Sequence, residues 1–420
     1  MNCEFSKLKL LLVCPDVYSN AAYAIDLFIA LFKDVVEKKG AFLVLPSTSS
    51  PNDFAANYEM LKHMDSITKS STFASKSPIS ALTLKTIMRD RPAIVHFQHE
   101  YRWFNYSSTF VLLLLATKMW RCKAVVTLHS LMHERLTGER KPSRLVDKIR
   151  FGIAKLYVRT INRLIFSLSD AIIVHSNEMK SIAKASFSIS DRIYVIPHGG
   201  PDIKTTRAVH CSLKESTGSV CVLVPGYIDP RKGQDFAAEV FAKLSDAHVN
   251  AHVHILGKVA VNPTAGRDFL NKLTSISKAY KETIIIDDRY LSFEDLIAWV
   301  ATCDIVFLPY RKSIGGGPSQ SNGSGMLSIA LGQGKPVVAS NIPYFEEILS
   351  TVAPELLFES DSVNQAFTLL KTIVTQQSLR SSYSATLENL FVNSLSWSAI
   401  ADKHMTVYNR LLQSMGCDSL

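Results

Sequence analysis

Short apolar runs recur along the chain with helix-length segments between them, and this rhythm restricts the fold more than any other feature. The first set reads LKLLLV, AFLVLP, AIVHFQ, AVVTLH, AIIVHS and RIYVIP. A polar stretch, PDIKTTRAVHCSLKESTGS, follows, and a second set then reads VCVLVPG, AHVHILG, TIIID, DIVFLP, KPVVAS and PELLF. The runs are apolar nearly throughout instead of alternating, as in strands covered on both faces, and strands separated by helices pair in parallel. Two doubly wound α/β domains are expected, and 420 residues suffice for two cores. The rhythm places a first domain over 1–205, a linker over 206–218 and a second domain over 219–395.

Composition excludes more than it selects. The net charge of +9 favours anionic partners, but there is no zinc-finger spacing and no RNA-recognition signature, so nucleic acid is not expected as a partner. The seven cysteines (Cys3, Cys14, Cys122, Cys211, Cys221, Cys303, Cys417) are odd in number, scattered and never in C-x-x-C spacing. Neither a disulfide framework nor a zinc site is expected from them, and a reducing cytoplasm suits them. The opening MNCEFSKLKLLLVCPDV has a short apolar run and no small-residue cleavage site, and reads as a strand. The run Phe110 to Ala116 falls short of the roughly 20 residues that cross a bilayer and reads as a buried helix. Segment 143–168 interleaves Lys148, Arg150, Lys155, Arg159 and Arg163 with Ile149, Phe151, Ile153, Leu156 and Ile161. It reads either as a helix lying on anionic lipid or as a domain helix with one apolar and one solvated basic face.

Ligands of open α/β sheets bind beyond the carboxyl ends of the strands. The residues found there are His99, His129, Ser176 and, in IPHGG, His198 with Gly199 and Gly200. In the second half, DIVFLPYRKSIGGGPSQSNGSGMLSIALGQGKPVVAS sets Gly323, Ser324 and Gly325 at the start of a helix. Unpaired N–H groups and the helix dipole attract an anion at such a position; the competing reading is a surface loop before a core helix. In VCVLVPGYIDPRKG, Gly226 ends a strand and Arg231, Lys232 and Gly233 precede a helix. The two cations suit the developing charge of a diphosphate leaving group, or else belong to a solvated basic turn.

Taken in order, VVTLH, IIVHSNEMK, IPHG, PGYIDPRKG, HVHILG, DIVFLPY, the glycine-bearing loop, GKPVVAS and LSWSAIADKHMTVYNRLL resemble glycosyltransferase family 4 over most of the chain. The resemblance implies a GT-B fold, in which two Rossmann-like domains face a central cleft, with a closing helix over 396–415 on the first domain. It implies transfer of a sugar from a nucleoside diphosphate to a glycan, lipid-linked or other hydroxyl acceptor with retention, without a metal and with no cofactor beyond the nucleotide-sugar co-substrate.

By the same resemblance His129, Lys232 and Gln320 carry the reaction. Gly226, Tyr227, Arg231, Lys232, Arg289, Tyr290, Gly323, Ser324, Gly325 and Ser328 contact the donor, while Asn20, His99 and Ser176 lie on the acceptor side. His198 reads as structural, since it precedes the turn into the linker. Three positions depart from the family: Gln320 and Ser328 stand where two glutamates are usual, and Tyr227 stands where arginine is common. The place of the usual glycine pair after the first strand is taken by YSNAAY. Glutamine still hydrogen-bonds sugar hydroxyls without bearing charge, and serine is too short to grip a ribose diol. A non-catalytic scaffold that binds a glycan or assists a partner transferase is therefore the second reading, and a nucleotide-sugar epimerase the third.

Overall fold

The computed structural model describes residues 10–13, 41–46, 72–75, 79–99, 108–131, 145–187, 191–201, 204–205, 209, 211, 218–259, 263–314, 317–318 and 323–416. Asn20 and Gln320, both expected at the site, lie outside the described residues. The chain divides into two compact units, one of residues 1–197 with 397–420 and the other of 198–396.

In the first unit seven described strands form one parallel sheet. They are β1 (Leu10–Val13), β2 (Ala41–Pro46), β3 (Thr72–Ser75), β4 (Ile94–His99), β5 (Lys123–Leu128), β6 (Ala171–Val174) and β7 (Ile193–Val195), in the order β3-β2-β1-β4-β5-β6-β7. The helices are α1 (Ile79–Asp90), α2 (Ser108–Met119), α3 (Leu145–Leu168) and α4 (Asn177–Phe187). Strand β3 was not legible in the sequence, because TFAS is short, small and without an apolar run, as suits a sheet edge. Helix α2 differs from its expected burial. Phe110, Val111, Leu113, Leu114 and Ala116 are buried, while Leu112, Leu115 and Met119 face outward.

The second unit repeats the plan. Strands β8 (Val220–Pro225), β9 (Ala251–Leu256), β10 (Ile284–Asp287), β11 (Ile305–Leu308), β14 (Val337–Ser340) and β15 (Leu357–Phe358) form a parallel sheet ordered β10-β9-β8-β11-β14-β15. A small hairpin, β12 (Ser313–Ile314) with β13 (Gly317–Pro318), stands apart from it. The helices are α5 (Gln234–Asp246), α6 (Pro263–Ala279), α7 (Phe293–Thr302), α8 (Gly325–Gly332), α9 (Pro343–Leu349), α10 (Val363–Thr375) and α11 (Gln377–Ser394). Chain direction along the sheet reverses between β8 and β11, so the switch point that receives ligands in such sheets lies beyond their carboxyl ends.

The division of the chain differs from the sequence reading at one boundary. The first unit ends at Pro197 instead of 205, and His198 onward belongs to the second unit. The cause is close packing at Gly200, whose N–H donates to the Leu395 carbonyl at 2.9 Å. A Cβ added there would lie 2.8 Å from the Ser328 carbonyl carbon, so this turn presses on the backbone of α8. The last helix, α12 (Trp397–Gln413), belongs to the first unit, where Tyr408 meets His96 of β4 with its hydroxyl 2.5 Å from Nδ1. Among the described residues, no helix is long and apolar enough to cross a membrane.

Candidate functional site

The turn after β8 is built by its own side chains. Asp229 accepts from the Arg231 N–H at 2.9 Å and caps the 3-10 turn Pro230–Lys232. The Arg231 guanidinium folds back on the same carboxylate, Nε to Oδ1 at 2.9 Å and Nη2 to Oδ2 at 2.5 Å. Burial pushes the Asp229 pKa up, but its hydrogen bonds and charge pairing with Arg231 outweigh this and hold it below the usual carboxylate value. Gly233 follows in the left-handed region (φ 69°), and a Cβ there would lie 1.9 Å from the Pro309 carbonyl oxygen. Only glycine fits, and the close approach pins the turn after β8 to the end of β11.

Lys232 is aimed differently from Arg231. Its ammonium lies over the ring of Tyr310, 3.8 Å from the centroid, while its charge also helps to lower the Asp229 pKa. The buried Tyr310 hydroxyl is 3.3 Å from Ser324 Oγ, and Ser324 in turn caps α8 by accepting from the Leu327 N–H. Tyr310 thus bridges the lysine and the start of α8, where Gly323 and Gly325 flank Ser324. Lys232 and the start of α8 come from positions far apart in sequence and meet through Tyr310 at the switch point of the sheet. The bundle of positive charge and N–H donors is suited to an anion of phosphate type.

Other expected donor residues are placed otherwise. Arg231, expected beside Lys232 as a second phosphate cation, is committed to Asp229. Ser328 is fully buried and donates to the His198 carbonyl at 2.6 Å, so it serves the packing of the IPHGG turn on α8 and presents nothing outward. Gly226 ends β8 with φ 115°, and Tyr227 after it is exposed. Arg289 is exposed and paired with Asp287, Nε to Oδ1 at 2.8 Å, while Tyr290 beside it is 66 % exposed. His198 lies against Gly325 at the start of α8, and burial lowers its ring pKa to about 4.

In the first unit the structure gathers a histidine pair at the end of β5. His175 Nδ1 faces the Ile196 carbonyl at 3.0 Å and must donate to it, which leaves Nε2 as acceptor. His129 Nε2 donates to Gln98 Oε1 at 2.8 Å, and its Nδ1 lies 3.2 Å from His175 Nε2. The half-buried His129 ring is held from both sides. The sequence drew attention to His129 but not to His175 or Gln98, because both sit within apolar strand runs.

His99 and Ser176, expected on the acceptor side, are both buried. His99 is fully buried with its ring 4.4 Å from that of Phe110, and burial lowers its pKa to about 3. Ser176 is buried and caps α4 by accepting from the Met179 N–H at 3.1 Å.

Two family models match the chain in succession: Glycosyltransferase Family 4 over residues 47–200 and Glycosyl transferases group 1 over 219–375. No curated protein is significantly similar in sequence. Among solved structures, a glycosyltransferase from Rickettsia africae ESF-5 is similar at 15 % identity and TM-score 0.67, covering 97 % of this chain and 100 % of that one. HepE from Anabaena in complex with UDP is similar at 13 % identity and TM-score 0.64, again covering 97 % and 100 %. Sucrose-phosphate synthase from Thermosynechococcus elongatus is similar at 14 % identity and TM-score 0.62, with the same coverage. At these identities the structural likeness shows the fold, and the two family matches supply the activity class. The chain is a glycosyltransferase of the GT-B type.

Proposed function

We propose that this enzyme transfers a sugar, with retention of configuration, from a uridine diphosphate donor to a hydroxyl group of a glycan or lipid-linked acceptor. The observation that carries the reading is the meeting of Lys232, Tyr310 and Ser324 beyond β8 and β11. Uridine is favoured because the similar HepE structures hold UDP, UDP with glucose, and UDP-glucose. In the proposed reaction the bond from the anomeric carbon to the diphosphate breaks as the acceptor oxygen attacks from the same face. The acceptor proton passes to the departing phosphate oxygen. Lys232 and the amides of Gly323 to Gly325 neutralise the leaving group, with no metal required for that charge. His129 orients the donor sugar, Gln320 hydrogen-bonds its hydroxyls, and Arg289 and Tyr290 flank the base.

The lipid-linked acceptor is favoured by α3. Its amino-terminal half exposes Val146, Ile149, Ile153, Leu156 and Tyr157 at three- and four-residue spacing, beside exposed Lys148 and Lys155. Its carboxyl-terminal half instead buries Val158, Ile161, Ile165 and Phe166. The two halves therefore divide between the two sequence readings. The exposed half has the build of a helix that rests on anionic lipid at the cytoplasmic face of a membrane.

A panel of UDP- and GDP-sugars with candidate acceptors, read as nucleotide release and donor-dependent thermal shift, tests the reading. Release with a UDP-sugar is expected, and lack of response to every donor would count decisively against it. The scaffold reading is favoured by one observation, the buried Ser328 in place of a ribose-binding carboxylate. Donor binding without turnover would select it.

A further inference from the structure

Away from the donor loops, the second unit gathers two thiols and two imidazoles in its interior. Cys211 comes from the stretch before the sheet, Cys221 from β8, and His252 and His254 from β9; all four are buried. One ligand atom from each can be chosen so that all four lie within 4.8 Å of one another. Parallel register explains the convergence. Cys221 pairs with His252 and Leu223 with His254, so the cysteine and both histidines project from one face of the sheet. That face lies under α7, whose Trp299 ring is 4.7 Å from the ring of His254. Cys211 closes the cluster from outside the sheet, and Val209 just before it donates its N–H to Thr302 at the end of α7, at 2.9 Å.

We propose that Cys211, Cys221, His252 and His254 form a tetrahedral Cys2His2 site that binds a structural zinc ion. The distances suit that ion. Zinc sits about 2.3 Å from sulfur and about 2.0–2.1 Å from nitrogen, so tetrahedral corners separate sulfur from nitrogen by about 3.6 Å. Cys211 Sγ lies 3.4 Å from His252 Nε2 and 3.6 Å from His254 Nε2. The outer shell is in place as well: Ser219 Oγ is 2.7 Å from His252 Nδ1, which fixes the ring with Nε2 toward the cluster. Soft thiolates with imidazoles in this geometry select zinc over the hard cations, which take oxygen ligands. Cys303 is nearby, but its thiol points to the Val300 carbonyl at 3.2 Å and stays outside the set.

The site lies toward the amino ends of β8 and β9, away from the turn that bears Lys232, and four closed ligands leave no position for substrate. Its part is to tie the segment entering the second unit to the sheet. Spacing gave no warning of it, because the four ligands form no C-x-x-C or H-x-x-x-H pattern.

The test is the metal content of the purified full-length chain after dialysis against metal-free buffer, with cobalt reconstitution as an optical readout. About one zinc per chain is expected, and cobalt should give a thiolate charge-transfer band with tetrahedral ligand-field bands. Cys221→Ser should lower bound zinc by at least roughly ten-fold. If that variant does not fold, Cys211→Ser, whose side chain comes from outside the sheet, makes the same test. A folded wild-type chain that neither carries nor takes up zinc or cobalt overturns the proposal. So do stoichiometric copper in place of zinc and a cysteine variant that keeps its full zinc.

Discussion

The strand ends of the two units differ in the kind of polarity they hold. Beyond β8 and β11 the second unit presents an ammonium and a helix start, propped apart by Tyr310. At the ends of β4 to β6 the first unit presents imidazoles bonded to one another and to the backbone, with His99 sunk in the core. One arrangement sets a cation beside a helix start; the other holds imidazoles by hydrogen bonds to one another and to a side-chain amide. The difference teaches that one sheet plan, used twice, sets cations and glycines at the strand ends of one unit and histidines at those of the other.

Lys232→Ala strikes the comparison hardest. Removing the cation should lower kcat/KM by about 10²–10³-fold, roughly 3–4 kcal/mol of transition-state stabilisation, in steady-state nucleotide release. Wild-type rates in this variant would end the assignment of charge to the second unit.

Acid probes the neutral side. The pKa values of His99 and His404 in the first unit and of His198 in the second are lowered from 6.5 to about 3, about 4 and about 4, by burial above all. A depressed folded pKa means that the unfolded chain binds the proton more readily. The associated stability is thus complete above pH 6.5 and declines as pH falls toward 4 and 3. The loss at the acid limit is about 3 kcal/mol each for His198 and His404 and about 5 kcal/mol for His99. His96 in the first unit and His254 in the second are also depressed by burial, so three such rings among the described residues of the first unit stand against two in the second, and the first unit should lose amide-exchange protection at higher pH. Equal acid sensitivity of both units would erase the contrast.

Gly233→Ala tests whether the turn is held by the Pro309 contact. Left-handed strain and the clash together should destabilise the second unit by about 3 kcal/mol in denaturant unfolding. His175→Phe keeps the ring shape but not the nitrogen that holds His129. It should lower kcat about ten- to a hundred-fold with little change in donor affinity by calorimetry. Loss of donor affinity instead would make His175 structural. The smallest effect is expected for Arg231→Ala, within about 1 kcal/mol in kcat/KM, because that guanidinium already serves Asp229.

Much of the architecture was legible without coordinates. Continuous apolar runs such as AVVTLH and VCVLVP declare buried parallel strands, since hydrophobicity and chain length are local properties that a linear reading captures. The glycines and Lys232 of PGYIDPRKG and the start GSGMLSIALG were legible for the same reason: turn geometry and helix starts are written in a few adjacent residues. Local reading failed where a side chain's partner lies far along the chain. Nothing in IDPRKG says that Lys232 reaches Tyr310, and nothing in SGMLS says that Ser328 turns inward to His198. Sequence by itself determined two doubly wound units and which loops hold cations and glycines. Tertiary structure alone decided which groups face a ligand, which are spent inside, and that two cysteines and two histidines converge. Register and crossover set those distances, and they depend on how whole strands align.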